Sequence, residues 1–325
     1  CYTGNGIRDS LSGQMPKKPI RRTRLMEENI LEHYRKTSTY TYAGAYGEYF
    51  RSLPDDIPML GRLVCGQVIH RVTLKEGNTN ANATLLYGDM DRYPWYRMRC
   101  EDDVLLTASA MTAELFRMDG RGFVRDRKTE DKIVVTCRYV SVLMSAILKA
   151  KGIPARCRAG FAPYFREGVS MDHWINQYYS REEGRWITFD ADGFYEESGM
   201  PLTQYDIPQE SFDWVAQAYL AVRRGETDGK QFLYADCLGT CSLPALIRYL
   251  IYDFHALMNQ ELTYTFLPAY LDGRLERLTE EELGELDLLA GWMAEPDRYF
   301  GELCGLWERE RKLRILNSPL VAISV

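Results

Sequence analysis

Apolar residues at Val140, Leu143, Met144, Ile147 and Leu148 recur at i, i+3, i+4, i+7 and i+8, which is one face of a helix. Gly152 suits the stop of that helix and Pro154 prevents its continuation. Cys137 lies three residues ahead of the stripe, on the same face and in the first turn. Unpaired N–H groups and the positive end of the helix dipole favour a thiolate there.

The pattern then changes to period 2. Ala155 to Tyr164 reads as a first strand, and Asp172 to Tyr179 has the aromatic and β-branched content of a second. Alternation puts His173, Ile175, Gln177 and Tyr179 on one face and Trp174 on the other. A turn at Glu182-Glu183-Gly184 leads into Arg185 to Asp190, with Trp186, Thr188 and Asp190 sharing a face. Such a hairpin can bring the closing acid beside the histidine, in a chain of thiol, imidazole and carboxylate.

Elsewhere the spacing predicts helices over Arg22–Lys36, Leu60–Val72, Asp102–Arg117, Glu210–Arg223, Leu243–Asn259, Thr279–Met293 and Leu303–Ile315. Thr279-Glu280-Glu281-Glu282 has the form of a capping box. The tyrosines between Thr39 and Tyr49 read as core cover. His70, on the second of these helices, reads as a satisfied core histidine, and His255 has no chemical companion in sequence. The expected organisation is a polar tail over 1–20, a helical region over 21–125, a core over 126–200 and a helical region over 201–325.

Composition narrows the function. At 325 residues the chain exceeds a typical single core, so one large unit or two closely packed ones are expected. The net charge of −6, without a long basic block, argues against a nucleic-acid partner. No apolar run reaches the ~18 residues of a membrane span. Eight irregularly spaced cysteines do not resemble a disulfide framework, and the expected location is cytoplasmic. Cys1 alone would suit a lipidated N-terminus. Cys237 and Cys241 lack a second pair or a nearby histidine, so no zinc site is expected. Cys65, Cys100 and Cys304 read as small buried hydrophobes. Cys157, the rival nucleophile, lies mid-strand with no helix terminus to acidify it. Asp192 is the rival acid.

Cys137, the run Gly152-Ile153-Pro154-Ala155-Arg156, the pair His173-Trp174, and Gly184-Arg185-Trp186 through Asp190 occur in an order that resembles the transglutaminase-like cysteine superfamily. Arg158-Ala159-Gly160-Phe161, Asp172-His173-Trp174 and the segment Arg223 to Asp228 are similar to a group of uncharacterised bacterial proteins within it. Many members place one residue between histidine and tryptophan, which are adjacent here. The bacterial group usually has Gly-Asn before the cysteine, where this chain has Val135-Thr136. The resemblance implies an α+β fold with papain-like topology, one thiol-bearing helix on an antiparallel sheet, and large helical additions on both sides.

The reaction expected from these residues is acyl transfer by Cys137, His173 and Asp190, with the backbone N–H of Cys137 as oxyanion donor and no metal or organic cofactor. Hydrolysis of a peptide or small amide is the first expectation. Transfer to an amine, or a silent peptide-binding member, are the alternatives. Arg138, Gln177, Trp174, Trp186 and Tyr164 are the expected substrate contacts. Arg138 and Arg158 would bring positive charge to the mouth of the cleft.

Overall fold

The chain is described by a computed structural model over residues 19–70, 93–97, 104–192, 204–234 and 241–315. Most of the expected tail, together with Cys1, Cys100 and Cys237, lies outside these residues. In chain order the elements are α1 (Pro19–Arg35), α2 (Gly47–Ser52), α3 (Ile57–Cys65), β1 (Val68–His70), α4 (Ala108–Met118) and β2 (Ile133–Val135). The core follows as α5 (Cys137–Ala150), β3 (Ala155–Arg166), β4 (Val169–Ser180) and β5 (Arg185–Phe189). Then come β6 (Asp213–Trp214), α6 (Val215–Arg223), β7 (Phe232–Leu233), α7 (Ser242–Leu257), α8 (Glu280–Met293) and α9 (Phe300–Arg309).

Helix α5 ends as its sequence suggests. Gly152 takes φ +78°, and the N–H groups of Gly152 and Ile153 bond back to Lys149 and Leu148, which is a Schellman stop. Its amphipathic stripe understates its burial, because every residue from Cys137 to Lys149 is buried. The polar ones are satisfied by the sheet. Ser141 Oγ donates to the Ile175 carbonyl, while Asn176 Nδ2 donates to the Ser141 carbonyl and to Ser145 Oγ. These bonds fix the helix along β4, and with it the height of Cys137 above the sheet.

The main sheet runs β5-β4-β3-β6, all antiparallel, with β7 adding parallel to β4. The result is the α+β class expected. Gly160 lies where β3 has both neighbours, opposite His173 and Trp214. A Cβ there would come within 2.5 Å of Phe212 Cε1 and 2.8 Å of the Asp213 carbonyl. Gly160→Ala is therefore expected to cost about 1–3 kcal/mol by overpacking, measured as a lowered urea midpoint. An unchanged midpoint would mean that β6 gives way freely.

Several expected helices are shorter than their periodicity suggested. Leu60–Val72 is not one helix: α3 stops at Cys65, and Val68–His70 forms β1, parallel to Ile133–Val135. A short apolar run with β-branched Val68 and Ile69 fits either period, and the available partner β2 decides in favour of strand. This pairing also joins residues on either side of the expected boundary at 125. In the predicted helix Glu210–Arg223, residues Asp213–Trp214 are a strand, and the helix begins at Val215. Of the helix expected over Asp102–Arg117, residues 102–103 lie outside the described ones; the break at 105–107 leaves α4 to begin at Ala108, behind Thr107, whose Oγ1 accepts the N–H of Ala110. The last helix runs Phe300–Arg309 and not to Ile315. The capping box of Thr279 and Glu282 is present.

Candidate active site

The register of the β4–β5 hairpin explains how the acid reaches the histidine. Asn176 pairs with Phe189, Gln177 with Thr188 and Tyr179 with Trp186. Asp190 thus continues the face that carries Thr188 and lies diagonal to His173, within reach of side chains on one sheet face. Their contact is short, His173 Nε2 to Asp190 Oδ2 at 2.7 Å, with the two residues 2% and 1% exposed. Two further donors hold the carboxylate: Tyr164 Oη at 3.1 Å on Oδ2, and the N–H of Asp192 at 2.9 Å on Oδ1. With Nε2 committed to Asp190, Nδ1 is the imidazole nitrogen available to sulfur.

Cys137 stands at the first position of α5 behind Thr136. Burial pushes its thiol up, but the charge of His173 and a hydrogen bond from it, helped by His70, bring it down to about 7. Burial works against the charged form of His173 too, yet Asp190 and the thiolate raise it well above the ordinary imidazole value. Thiolate and imidazolium therefore favour each other. Cys157 behaves in the opposite way: burial, reinforced by the charge of Glu261, pushes it up to about 12. Cys65 is also raised well above the usual thiol range, chiefly by burial. Among the described residues no cluster of three or more His, Cys, Asp or Glu is arranged to hold a metal ion.

Asp192, the rival acid, does not face His173. Extending the β4–β5 register would place residue 192 opposite His173, but the ladder ends at Phe189, and the N–H of Asp190 bonds instead to the Gln204 carbonyl. The chain turns away, and the Cys65 thiol donates to the carbonyl of Ala191. Asp192 Oδ2 then comes within 3.2 Å of His70 Nε2. Sequence spacing gave no warning of this second pair, because His70 is 67 residues before Cys137 and was expected on a helix. Its Nε2 also accepts the backbone N–H of Cys137 at 3.0 Å. The amide expected to serve an oxyanion is therefore already occupied. Tyr264 was missed as well; its hydroxyl lies 3.4 Å from Cys137 Sγ.

The expected substrate contacts are only partly near this centre. Arg138 is fully buried, clasping the carbonyls of Glu261 and Leu262 and lying against the rings of Tyr40 and Tyr139. Arg158 is 4% exposed and forms a two-pronged pair with Asp253. Neither supplies charge to a mouth, because a buried guanidinium must spend its donors on fixed acceptors. Trp174 is 1% exposed and packs towards Tyr252 in the core. Tyr164 is buried with its hydroxyl on Asp190, so it orients the acid. Gln177 and Trp186 line a separate cavity of about 710 Å³ with Arg156, Thr188 and Trp214. There Gln177 Oε1 accepts from both Arg156 and Arg158, and the Arg156 guanidinium lies 4.1 Å over the Trp186 ring.

His33 and His255 are unlike the site histidines. Burial lowers each to about 4, and each has a ring nitrogen bonded to a backbone carbonyl. They are neutral packing groups.

Residues 109–191 match the family model of the transglutaminase-like superfamily. The matched segment runs from α4 to the residue after Asp190, and so includes Cys137, His173 and Asp190. No curated protein and no solved structure matches the chain.

Proposed function

We propose that this chain, whose residues 109–191 are a transglutaminase-like superfamily domain, is a thiol-dependent acyl-transfer enzyme that hydrolyses a peptide or small amide through a thioester. The observation that carries this reading is a single arrangement. Cys137 opens helix α5 beside His173, whose far nitrogen lies 2.7 Å from Asp190 Oδ2, and the imidazole draws the buried thiol down to about 7.

The steps follow from that arrangement. The Cys137 thiolate attacks the carbonyl carbon, and the C=O electron pair moves onto oxygen. The tetrahedral intermediate collapses, the C–N bond breaks, and the imidazolium of His173 gives its Nδ1 proton to the leaving amine. Neutral His173 then takes a proton from water as its oxygen attacks the thioester. The C–S bond breaks and the thiolate returns. Asp190 keeps the Nε2 proton in place throughout and stabilises the imidazolium formed in each half.

Transfer to an amine is the second reading, favoured by one observation: Cys137 is only 5% exposed, with the Tyr264 hydroxyl 3.4 Å from its sulfur. A shielded thioester survives long enough to meet an amine. The arginines expected to charge the mouth are buried, so no preference for anionic substrates enters the proposal. A peptide-library hydrolysis screen run beside diamine incorporation decides between the two. Incorporation without hydrolysis would replace the first reading by the second.

Thiol labelling tests the premise common to both. At pH 6 about a tenth of Cys137 is thiolate, against about one part in a million of Cys157. Iodoacetamide at that pH is expected to modify Cys137 ahead of every other cysteine, read by peptide mass. First labelling at Cys157, or labelling only after denaturation, would remove the nucleophile from the proposal.

A further inference from the structure

We propose that His70 is a positioning residue of this site, a proton-controlled latch on the backbone N–H of Cys137, with Asp192 as its release. The inference rests on the acyl-transfer reading and deepens it, since it concerns how the oxyanion donor of that reaction becomes available.

The argument begins with one nitrogen. His70 Nε2 lies 3.0 Å from the N of Cys137, whose N–H it accepts, and 3.2 Å from Asp192 Oδ2. A ring nitrogen either offers a lone pair or carries a proton. With the lone pair, it holds the amide and occupies the place a carbonyl oxygen must take. With a proton, it can no longer accept from the amide; it donates to the Asp192 carboxylate, and the amide is freed. The two contacts are alternatives, and a single proton chooses between them.

The surroundings poise this choice. His70 is 8% exposed at the end of β1, so little water competes for either contact. Among the described residues, the titratable groups facing it are Asp192 from the turn after β5, Cys137 from α5 and His173 from β4. Asp190 and His173 act in turn on Asp192, and Cys65 from α3 lies in the field of both aspartates and of Lys132. Burial opposes the charge on His70, but Asp192 and the Cys137 thiolate outweigh it and raise its pKa. Burial likewise raises Asp192. Sign follows directly: the latch is open while His70 holds its proton and closes as pH rises through its raised pKa.

The cluster is also linked to the acid of the catalytic chain. The N–H of Asp192 donates to Asp190 Oδ1, so the two acids are placed by one turn, one facing each histidine. His173 is the main influence on the charge of the sulfur, to which His70 adds less, and His70 holds the amide beside it.

The test separates these functions with two probes on the full chain. Iodoacetamide alkylates the thiolate and develops no oxyanion. N-acetylglycinal adds to the thiol as a hemithioacetal: an S–C bond forms, the C=O π bond opens, and the oxygen, which takes the thiol proton, lies at the amide of Cys137. Its Kd is read from protection of Cys137 against alkylation between about pH 5.5 and 9, each value corrected for the fraction of Cys137 that still carries the proton the adduct keeps, taken from the pH profile of alkylation. In the unaltered protein, the corrected affinity is expected to fall as pH rises. His70→Ala frees the amide at every pH, so affinity at high pH should rise by about tenfold and its pH dependence should vanish. Asp192→Asn removes the release, so affinity should fall by about tenfold at low pH; one oxyanion donor is worth that or more.

The opposite signs are decisive, because loss of mere support would weaken the adduct in both variants. If both weaken, or neither changes, while Cys137 stays alkylatable, the latch is overturned and the acyl-transfer reading stands. If Cys137 in the unaltered protein is not the reactive thiol, that reading fails and the latch fails with it. His70→Asn, a smaller change in volume, is made alongside, and folding of each variant is checked by urea midpoint. His70→Asn should reproduce the loss of pH dependence; retention of the wild-type profile would also overturn the proposal.

Discussion

His173→Ala is expected to lower turnover by about 10⁴- to 10⁶-fold, the range seen when the base of a nucleophile–imidazole pair is removed, and to leave the fold intact. The same change should move alkylation of Cys137 out of the neutral range. In the intact protein the thiol is held at about 7, because His173 and, less strongly, His70 outweigh the burial that would raise it. Thiolate is present above about pH 7 and falls tenfold per unit below it. Without His173 the main opposition to burial is lost, so the thiol climbs and labelling at pH 6–7 drops out. Asp190→Asn should reduce turnover by about 10⁴-fold through loss of the correct tautomer, yet leave Cys137 alkylatable. Steady-state kinetics and alkylation rates from pH 5 to 10 check all three statements. Greater loss of turnover in Asp192→Asn than in Asp190→Asn would reverse the assignment of the acid.

Asp253→Ala is expected to be the most destabilising single change outside the site, at about 3–5 kcal/mol. Asp253 is 0% exposed on α7, and its carboxylate receives Nε and Nη2 of Arg158, both at 2.8 Å, and the N–H of Ala159 at 2.9 Å. Removing it leaves a guanidinium buried in contact with the Trp214 ring, at 4.6 Å, with Gln177 as its remaining side-chain acceptor. Such an orphaned charge costs far more than the pair contributes. Urea unfolding followed by circular dichroism gives the figure. A loss under about 1 kcal/mol would show that water enters to replace the carboxylate. The double change Arg158→Met with Asp253→Leu should recover much of the loss, because it removes both charges together. The effect also connects stability to the site: β3 carries Arg158, and two residues on, Gly160 pairs with His173.

The features legible in sequence were those set by local periodicity. The helix after Thr136 was visible because its apolar spacing, its glycine stop and the following proline agree. The hairpin was visible because period-2 alternation and the turn at Gly184 agree. Together they put Cys137 at a helix start, and His173 and Asp190 on the two arms of one hairpin. The expected substrate contacts went astray for a different reason. Arg138 and Trp174 adjoin the nucleophile and the histidine in sequence, whereas the direction of a side chain depends on what packs against its element. Helix α5 is covered on every side, so the residue after Cys137 points into the interior as surely as the stripe does. A charged residue is tolerated there because carbonyls from Glu261 and Leu262, more than a hundred residues away, meet its donors, and the rings of Tyr40 and Tyr139 flank it.

What the sequence by itself determined, then, is the type of core, its order of elements, and the helix and strand positions of the thiol, imidazole and carboxylate. Each depends on bonds and sterics within a few residues. The tertiary structure alone decided what surrounds them. The parallel pairing of Val68–His70 with Ile133–Val135 turned an expected helical histidine into a neighbour of Cys137, because a strand beside β2 runs towards the start of α5. The end of the β5 ladder at Phe189 gave Asp190 to His173 and Asp192 to His70. Tyr264 reached the thiol through a segment 127 residues away. Contacts of that range carry no spacing signal, since loop closure constrains which chain segments meet only weakly with length, and packing selects the partners after the local elements exist.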